Sequence, residues 1–519
     1  MVQAVPLGLN WASNVYFGEP AREMGVQYLE YKIESKESSL FELYGPDHPV
    51  VADPASIFSK GYEAARAMYV DGQNVKINTL RFWETLNEAV RLLGVYGVLK
   101  VTCKNIFIAL IHLTHIYTKY TYLKHMFCMQ TGEDRTKLEA TGFACDSALH
   151  SLVCIANRPV KIDTSAMRVH VPSDLNTPQG TTTVKPYARQ EDEDVLKYIT
   201  PVHILHENII PPACHYTHHV PAVIFSSSGF TGNQFHEFNE IIIPLFITSR
   251  HFRSNVQFIL IDHKPWFVDK YERIFAQLSR YEVMNPAING SVHCFPGAVV
   301  GLKFHDNLAL NSSDIPVGYS MLNFKQFLRE SYNLKVKNVS EAERPVLILI
   351  SRQRTRKFLN EGKMVAMMEK LGYRVIVTLP KTMKNLEKFS KLVSSCSVMV
   401  GAHGAGLADA LFLPAGAVMV QVVPLGLDWP SNAYYGEPAR DMGVQYLVYK
   451  IEPEESSLVD LYGRDHPAIV DPASVFSKGY QAGRAVYVEG QNIKIDLVRF
   501  RKTLVEALKL LGRPVTSSS

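Results

Sequence analysis

The chain has 519 residues, a formal net charge of +4, 47% hydrophobic residues and 20% charged residues. These proportions are typical of a folded globular protein and exclude a disordered chain, a collagen-like chain and a small disulfide scaffold. The net charge is small for the length, so we expect neither a nucleic-acid partner nor an acidic tail. The length is sufficient for about two to four domains.

A long internal repeat occupies the start of the chain. Residues 1–94 align without a gap with residues 419–512 at a constant offset of 418, and 65 of the 94 pairs are identical. A single long repeat differs from a solenoid, which stacks several short units. We interpret residues 1–94 as a duplicated C-terminal fragment, because the first copy begins inside an apolar, strand-like run rather than at a domain boundary. A functional pair of modules is the alternative.

The segment after the repeat, residues 95–140, has no clear helical or strand periodicity, and we interpret it as a linker or insert. Its most apolar stretch, Ile106–Leu113, is far shorter than the ~20 residues that a membrane-spanning helix needs. The first 30 residues contain no signal-peptide pattern. At the other end of the chain, we expect residues 513–519 to form a disordered tail.

Regular strand–helix alternation begins near residue 141 and predicts a first α/β domain over residues 141–335. Short apolar runs bounded by turn residues indicate strands, and apolar residues at helical spacing indicate helices between them. The predicted strands are Pro221–Ser226, Val256–Ile261 and Ala298–Leu302, and the predicted helices cover residues 234–249 and 268–278.

A second series of strands and helices predicts another α/β domain over residues 336–512. Its predicted strands cover residues 346–350, 373–377, 398–400 and 418–423, and its predicted helices cover residues 361–371, 384–393, 407–413 and 496–511. This alternation is typical of a parallel, nucleotide-binding sheet. Two such Rossmann-like lobes facing a cleft would bind ligands at the carboxyl ends of their strands.

The first candidate site is the histidine–glycine turn, Gly401–Leu407, which reads GAHGAGL between a predicted strand and a predicted helix. Small residues let the backbone approach a ligand closely, and free N–H groups at a helix start favour phosphate. His403 can hydrogen-bond a phosphate or a sugar hydroxyl. The alternative is a tight strand-to-helix turn with nothing bound.

The second candidate site is the basic loop, Ser351–Lys357, directly after the predicted strand at residues 346–350. Its four cations at the end of a buried strand are well placed to neutralise a diphosphate. The alternative is a solvated basic turn.

The third candidate site is the start of the predicted helix 234–249. His236 and Glu240 are four residues apart and can pair on one helix face, whereas His236 and Glu237 point about 100° apart. Either His236 or Glu237 could act as a general base towards a hydroxyl. The alternative is a polar helix N-terminus with acids near the positive end of the dipole.

The chain has seven cysteines, which is an odd number. Cys145 and Cys154 are close enough in sequence to form a disulfide, and Cys214 and Cys294 can pair only through the fold. There is no CxxC motif and no Cys/His metal spacing, so we expect no metal site.

In this order, the motifs resemble glycosyltransferase family 61, and most closely its plant members. The matching stretches are residues 143–163, 225–250, 349–361, 400–424 and 449–458. The resemblance implies a two-lobed GT-B-like fold and an inverting transfer from a nucleotide sugar that needs neither metal nor cofactor. Departures from the plant pattern are Glu240 and Asp409, which stand where related sequences often have Asp and Asn.

The resemblance also assigns roles to residues that match the motifs of the family. The residues that would bind the donor diphosphate, or form the turn beside it, are Arg352, Arg356, Asn360, His403, Gly404 and Gly406. The residues that would face the acceptor are Asn233, His236 and Glu237, with His236 and Glu237 as the catalytic candidates.

The expected function is therefore the transfer of a pentose, xylose or arabinose, from a UDP-sugar to a xylan side chain or an N-glycan. The plant members resembled act on the lumenal side of the Golgi and carry a membrane anchor, which is not visible in this sequence. Two alternatives remain at this point. One is a non-catalytic protein that binds glycans or nucleotides, and the other is a fused gene product without activity.

Overall fold

The computed structural model describes residues 2–5, 29–32, 132–147, 150–172, 180–207, 212–288, 290–310, 312, 315, 318–339 and 344–513. The chain divides into two units, Met1–His112 and Leu113–Ser519. Most of the first repeat copy, the insert up to residue 131 and the tail from residue 514 lie outside the described residues.

A five-stranded, entirely parallel sheet forms the second half of the larger unit, with the spatial order β15-β14-β16-β17-β18. The sequence predicts four of these strands. The fifth, β18, is an edge strand that buries few of its residues and therefore lacks a continuous apolar run. The strands are β14 (Val346–Ile350), β15 (Arg374–Thr378), β16 (Val398–Ala402), β17 (Val418–Val423) and β18 (Gln445–Lys450).

Two mixed sheets form the first half of the larger unit. In the order β11-β10-β13-β4-β3, the three predicted strands run parallel to one another, but β4 and β3 are antiparallel additions. The second sheet has the order β7-β8-β6-β5-β12-β9. The strands are β3 (Phe143–Asp146), β4 (Val153–Ala156), β5 (Val160–Asp163), β6 (Arg168–Pro172), β7 (Gly180–Val184), β8 (Val202–Glu207), β9 (Tyr216–Thr217), β10 (Ala222–Ser226), β11 (Gln257–Ile261), β12 (Val292–Phe295) and β13 (Ala298–Val300).

The expectation of a purely strand–helix–strand first half is therefore too simple. Strands β3 and β4 follow one another through a short connection, as do β5 and β6, and such connections produce antiparallel pairs rather than parallel ones. The molecule is an α/β protein with mixed and parallel sheets.

Both cysteine pairings considered from the sequence are present. Cys145 lies directly opposite Cys154 in the antiparallel pair β3–β4, and the two form a disulfide. Cys214 and Cys294 form the second disulfide across 80 residues of chain. Among the described residues, Cys396 is a free, buried cysteine.

Helices cover the sheets on their apolar faces. The predicted helix at residues 234–249 is confirmed, with a π-helical turn in its middle. Helices of the first half are Gly132–Thr141, Glu193–Leu196, Gln234–Glu237, Phe238–Ile242 (π), Ile243–Ser249, Arg250–Phe252 (3-10), Pro265–Leu278 and Met321–Tyr332. Those of the second half are Glu361–Lys370, Pro380–Met383, Leu386–Val393, Ala405–Phe412 (3-10), Asp428–Ser431, Asn432–Gly436 (π), Glu437–Asp441, Pro453–Glu455 (3-10), Leu458–Tyr462, Pro467–Val470, Pro472–Phe476, Tyr480–Gly483, Arg484–Glu489 (π) and Leu497–Leu510.

One continuous core joins the two halves of the larger unit. It contains buried residues of the mixed sheet around β10, of the helix starting at Gln234 and of the parallel sheet and the 3-10 helix Ala405–Phe412. A separate core lies on the other face of the parallel sheet, under Glu361–Lys370 and Leu497–Leu510. Within the described part of the chain, no helix is both long and apolar enough to span a membrane.

The smaller unit contributes one described strand pair, β1 (Val2–Val5) and β2 (Leu29–Lys32). The strands are parallel, with Val2 opposite Leu29. At the repeat offset of 418, these two residues correspond to Val420 and Leu447, which lie opposite each other in β17 and β18. The two copies therefore share the same strand register.

Candidate active site

The basic loop and the histidine–glycine turn meet at one edge of the parallel sheet. The chain runs from β14 outward to β15 and then crosses to β16 on the other side of β14, so the order reverses between β14 and β16. Ligands of parallel α/β sheets bind at the carboxyl ends of the strands beside such a switch point. The basic loop, Ser351–Lys357, leaves β14 there, and His403 follows β16.

Two arginines of the basic loop lie side by side behind the turn. Arg356 is buried, its Nη1 donates a 2.7 Å hydrogen bond to the backbone oxygen of His403, and its Nε has no partner among the described residues. Arg352 Nε donates to the Thr355 oxygen at 2.9 Å. Burial, and secondly the neighbouring Arg352, lower the pKa of Arg356 to about 9. Both guanidinium groups are therefore cationic at neutral pH, and their neighbourhood favours an anion.

Gly404 makes the close approach of these arginines possible. Its φ of 146° lies in the region that favours glycine, and a Cβ added there would be 2.4 Å from Nη1 of Arg352. Gly406 instead lets the 3-10 helix Ala405–Phe412 pack closely against Ile350, because a Cβ at Gly406 would be 2.9 Å from Cγ2 of Ile350.

The His403 ring is held as a neutral hydrogen-bond donor. Its Nδ1 accepts from Nε2 of Gln421 at 2.9 Å, and the Gln421 Oε1 accepts from the Tyr446 hydroxyl at 2.7 Å, which orients the amide. The remaining proton of the neutral ring is therefore on Nε2. Burial, followed by Arg356 and Arg352, lowers the pKa of His403 to about 3, so the ring is neutral in the physiological range.

Asn360 lies at the end of the same loop, but its side chain is used to hold the C-terminal segment. Its Nδ2 donates to the Ile495 oxygen at 2.8 Å, and its Oδ1 accepts from the Ile495 nitrogen at 3.0 Å. This pair of bonds fixes the start of the helix Glu361–Lys370 against the strand-like segment before Leu497–Leu510.

On the opposite side, the helix starting at Gln234 presents His236 with a buried partner. Nδ1 of His236 lies 2.7 Å from Oε1 of Glu240, as the four-residue spacing predicts. Glu240 is buried, and its other oxygen accepts a hydrogen bond from the Tyr187 hydroxyl. A carboxylate on Nδ1–H leaves the Nε2 lone pair as the basic atom, and 25% of the His236 side chain is exposed.

Glu237 has a different environment, although it is adjacent to His236. Its Oε2 lies 2.5 Å from Nζ of Lys270 and 2.7 Å from the Tyr271 hydroxyl, and its Oε1 accepts from the Gly232 nitrogen at 2.8 Å. The side chain is 1% exposed. Both oxygens are thus occupied by buried donors. Asn233 is exposed and caps the helix by accepting from the Phe235 nitrogen at 3.1 Å.

The two sides of the site contact each other directly. Gln234 donates a hydrogen bond to Oδ1 of Asp409, which is fully buried in the 3-10 helix Ala405–Phe412. Burial raises the pKa of Asp409 to about 8, and its Oδ2 has no hydrogen-bond partner among the described residues. The Tyr435 ring lies 5.8 Å from the Phe235 ring, and its hydroxyl donates to the Gly404 oxygen at 2.9 Å. The histidine–glycine turn and the His236 helix therefore form one site.

Several residues of this site are absent from the sequence-based prediction. Gln421 is the one polar residue of the predicted strand 418–423, and a polar residue inside such an apolar run is a usable signal. Tyr187, Lys270 and Tyr271 carry no such signal, because their contacts with Glu240 and Glu237 bridge 53, 33 and 34 residues.

Comparison with known proteins identifies the family. Residues 202–420 match the family model Glycosyltransferase 61. The chain is 33% identical over 397 residues to Xylan glycosyltransferase MUCI21 of Arabidopsis thaliana, and this alignment covers 72% of the chain and 80% of that relative. The chain belongs to glycosyltransferase family 61.

Two further relatives of the chain align with it over a smaller share of their own length. Alpha-1,3-arabinosyltransferase XAT2 of Oryza sativa subsp. japonica is 40% identical over 336 residues, covering 64% of this chain and 58% of that protein. Beta-1,2-xylosyltransferase XYXT1 of the same organism is 36% identical over 337 residues, covering 63% of this chain and 72% of that protein. The chain thus spans little more than half of XAT2.

Proposed function

We propose that this family 61 member is an inverting glycosyltransferase that moves a pentose, xylose or arabinose, from a UDP-sugar to a xylan chain. The observation that carries the proposal is the pair Arg352 and Arg356, held at the switch point of a parallel sheet behind Gly404. The names of the relatives, which include arabinosyl-, xylosyl- and xylan glycosyltransferases, support the sugar and the acceptor. An N-glycan acceptor is the second option.

In the proposed reaction, Nε2 of His236 takes the proton of the acceptor hydroxyl. The hydroxyl oxygen attacks the anomeric carbon from the face opposite the diphosphate, and the bond from that carbon to the diphosphate oxygen breaks. The electron pair leaves with UDP, so the configuration at the anomeric carbon inverts. Glu240 stabilises the imidazolium that forms on His236.

The leaving diphosphate is stabilised by fixed charges and donors. Arg352 and Arg356 neutralise it, and the Nε2–H of His403 donates to a phosphate or sugar oxygen. These groups are cationic or neutral donors before the reaction starts, so we propose that no metal or cofactor is needed. Asn360, Gly406 and Glu237 act as positioning residues, because their contacts hold the loop, the turn and the helix.

We propose a GT-B-like arrangement for the larger unit and a location in the Golgi lumen. The two disulfides, Cys145–Cys154 and Cys214–Cys294, support an oxidising compartment. A membrane anchor, as the family resemblance implies, belongs to the same proposal.

We also propose that residues 1–94 are a duplicated fragment rather than part of the catalytic machinery. The shared register of β1–β2 and β17–β18 supports this interpretation. Transcript sequencing across residues 90–145 tests whether the fragment and the rest are encoded in one message, and a continuous message would count against a fused gene model.

The proposed function is tested by transfer of xylose and arabinose from their UDP-sugars to xylan oligosaccharides. Wild type is expected to turn over one of the donors, and Arg356→Ala to lose at least about a hundredfold in kcat/KM. Arg354→Ala is the matched control, because Arg354 is an exposed cation of the same loop. Binding of UDP without turnover by the wild type would favour the non-catalytic alternative.

A further inference from the structure

A row of aromatic rings runs through the proposed acceptor side. The Trp429 and Tyr434 ring centroids are 5.9 Å apart, those of Tyr434 and Phe235 5.0 Å, those of Phe235 and His236 5.3 Å, and those of His236 and Phe230 4.4 Å. We name these five residues the aromatic row. Its two ends come from different halves of the larger unit, yet buried Phe235 in the middle fixes the spacing between them.

The ends of the row are exposed to solvent. Trp429 is 72% exposed and Phe230 is 39% exposed. Large exposed rings are common as single residues, but two exposed rings that are linked through ring contacts to the partly exposed His236 favour a binding surface. Flat rings offer large apolar contact area at a small loss of conformational entropy. The apolar faces of pyranose rings are the natural partners of such a surface.

His236 lies within the row and not at its end. In the order of ring contacts, Phe230 stands before His236, and Phe235, Tyr434 and Trp429 stand after it. An acceptor that reaches both exposed rings, Trp429 and Phe230, would place sugar units on both sides of the hydroxyl that faces His236. Such an arrangement fits the addition of a side chain to an internal unit of a polysaccharide, and it does not select a chain end.

We propose that the aromatic row is an acceptor subsite that binds an extended pentose polymer across His236, with Trp429 and Phe230 as its two outer platforms. This inference rests on the proposed function and specifies its acceptor. A competing occupant for Trp429 is the nucleobase of the donor, because the Tyr434 ring also lies 6.4 Å from the His403 ring.

The test compares Trp429→Ala and Phe230→Ala with wild type on a xylan hexasaccharide and a disaccharide. Each variant is expected to lower kcat/KM for the hexasaccharide by about tenfold, with little effect on the disaccharide and none on the donor KM in UDP-sugar hydrolysis. Tyr281→Ala is the matched control, since Tyr281 is 40% exposed next to Glu282, whose backbone contacts Gln257 at the amino end of β11, away from the site.

Three outcomes would overturn the inference. These are an equal loss on both acceptors, no loss on either, and a raised donor KM for Trp429→Ala, which would assign Trp429 to the nucleobase. Calorimetric titration of the hexasaccharide into the same variants separates this inference from the proposed function. Weaker binding by Trp429→Ala and Phe230→Ala would support the subsite even in a protein that shows no turnover, whereas unchanged binding would contradict it.

Discussion

The two sides of the proposed site reach their geometry by different routes. On the donor side, backbone conformation places the charges: Arg356 has a φ of 53°, Gly404 has a φ of 146°, and the His403 carbonyl holds the Arg356 guanidinium. On the acceptor side, side chains from other elements hold the residues of one helix: Tyr187 bonds Glu240, and Lys270 and Tyr271 bond Glu237. The donor side is therefore encoded in contiguous motifs, whereas the acceptor side depends on residues that are distant in sequence.

On the acceptor side, two adjacent ionisable residues, His236 and Glu237, have different environments. His236 is partly exposed with a buried carboxylate behind it, whereas Glu237 is enclosed by Lys270, Tyr271 and a backbone N–H. Adjacent residues on one helix thus have different environments. Burial and hydrogen-bond partners, rather than residue type, therefore distinguish the proposed base from the proposed positioning carboxylate.

The largest effect is expected from removal of the proposed base. His236→Ala should lower kcat by about 10²–10⁴ with an unchanged donor KM, because the acceptor hydroxyl loses its proton acceptor while the arginines remain. Steady-state kinetics with a UDP-pentose and a xylan oligosaccharide measure this. Glu240→Gln is the companion variant, and it should give a smaller loss of kcat by removing the charge behind Nδ1. A folded His236→Ala protein with a kcat near that of wild type would assign the base elsewhere.

The next effect tests the structural role of Glu237. Lys270→Met should reduce the free energy of unfolding by about 3–5 kcal/mol, because it leaves a buried carboxylate without its cation. Urea unfolding measures this. Arg273→Met, in the same helix, breaks the exposed pair with Glu387 and should cost no more than about 1 kcal/mol. Equal losses of unfolding free energy in the two variants would mean that Lys270 does not stabilise a buried Glu237 carboxylate.

A smaller effect is expected at the glycine behind the arginines. Gly404→Ala should lower kcat/KM by about ten- to a hundredfold through a higher donor KM, because its Cβ displaces the Arg352 guanidinium. Gly416→Ala is the matched control: it has a φ of 79° but only one contact, at 3.6 Å. It shares the backbone strain without the clash. An equal change of donor KM in both variants would show that strain alone explains the loss.

The smallest effect concerns the contact between the two sides. Because the pKa of Asp409 is raised from 3.8 to about 8, its contribution to stability is fully present below about pH 4 and is lost as the pH rises through about 8. Asp409→Asn mimics the protonated form and removes this dependence. Its stability relative to wild type should therefore improve between pH 5.5 and pH 8.5, by about 3 kcal/mol in unfolding experiments. The exposed Asp460→Asn should show no such trend, and a flat difference for Asp409→Asn would contradict the assignment.

The sequence was sufficient for the parallel sheet and its ligand-facing loops, since four apolar strands and two motifs identify them without tertiary information. It predicted the His236–Glu240 pair from spacing alone. It did not predict β18, whose edge position leaves it without an apolar run, or the antiparallel pair β5–β6, whose short strands alternate between buried and more exposed residues. Partners such as Tyr187 and Lys270 become neighbours of the helix only after the sheets have packed.

The most direct test of the account is the binding of UDP itself. Calorimetric titration of UDP into wild type, Arg352→Ala and Arg354→Ala isolates the donor side from catalysis. Both arginines belong to the basic loop, but only Arg352 lies against Gly404, whereas Arg354 is exposed. Arg352→Ala is expected to weaken UDP binding by at least about tenfold, and Arg354→Ala is expected to bind UDP within about twofold of wild type. Equal affinities of all three proteins for UDP would contradict the proposed role of Arg352.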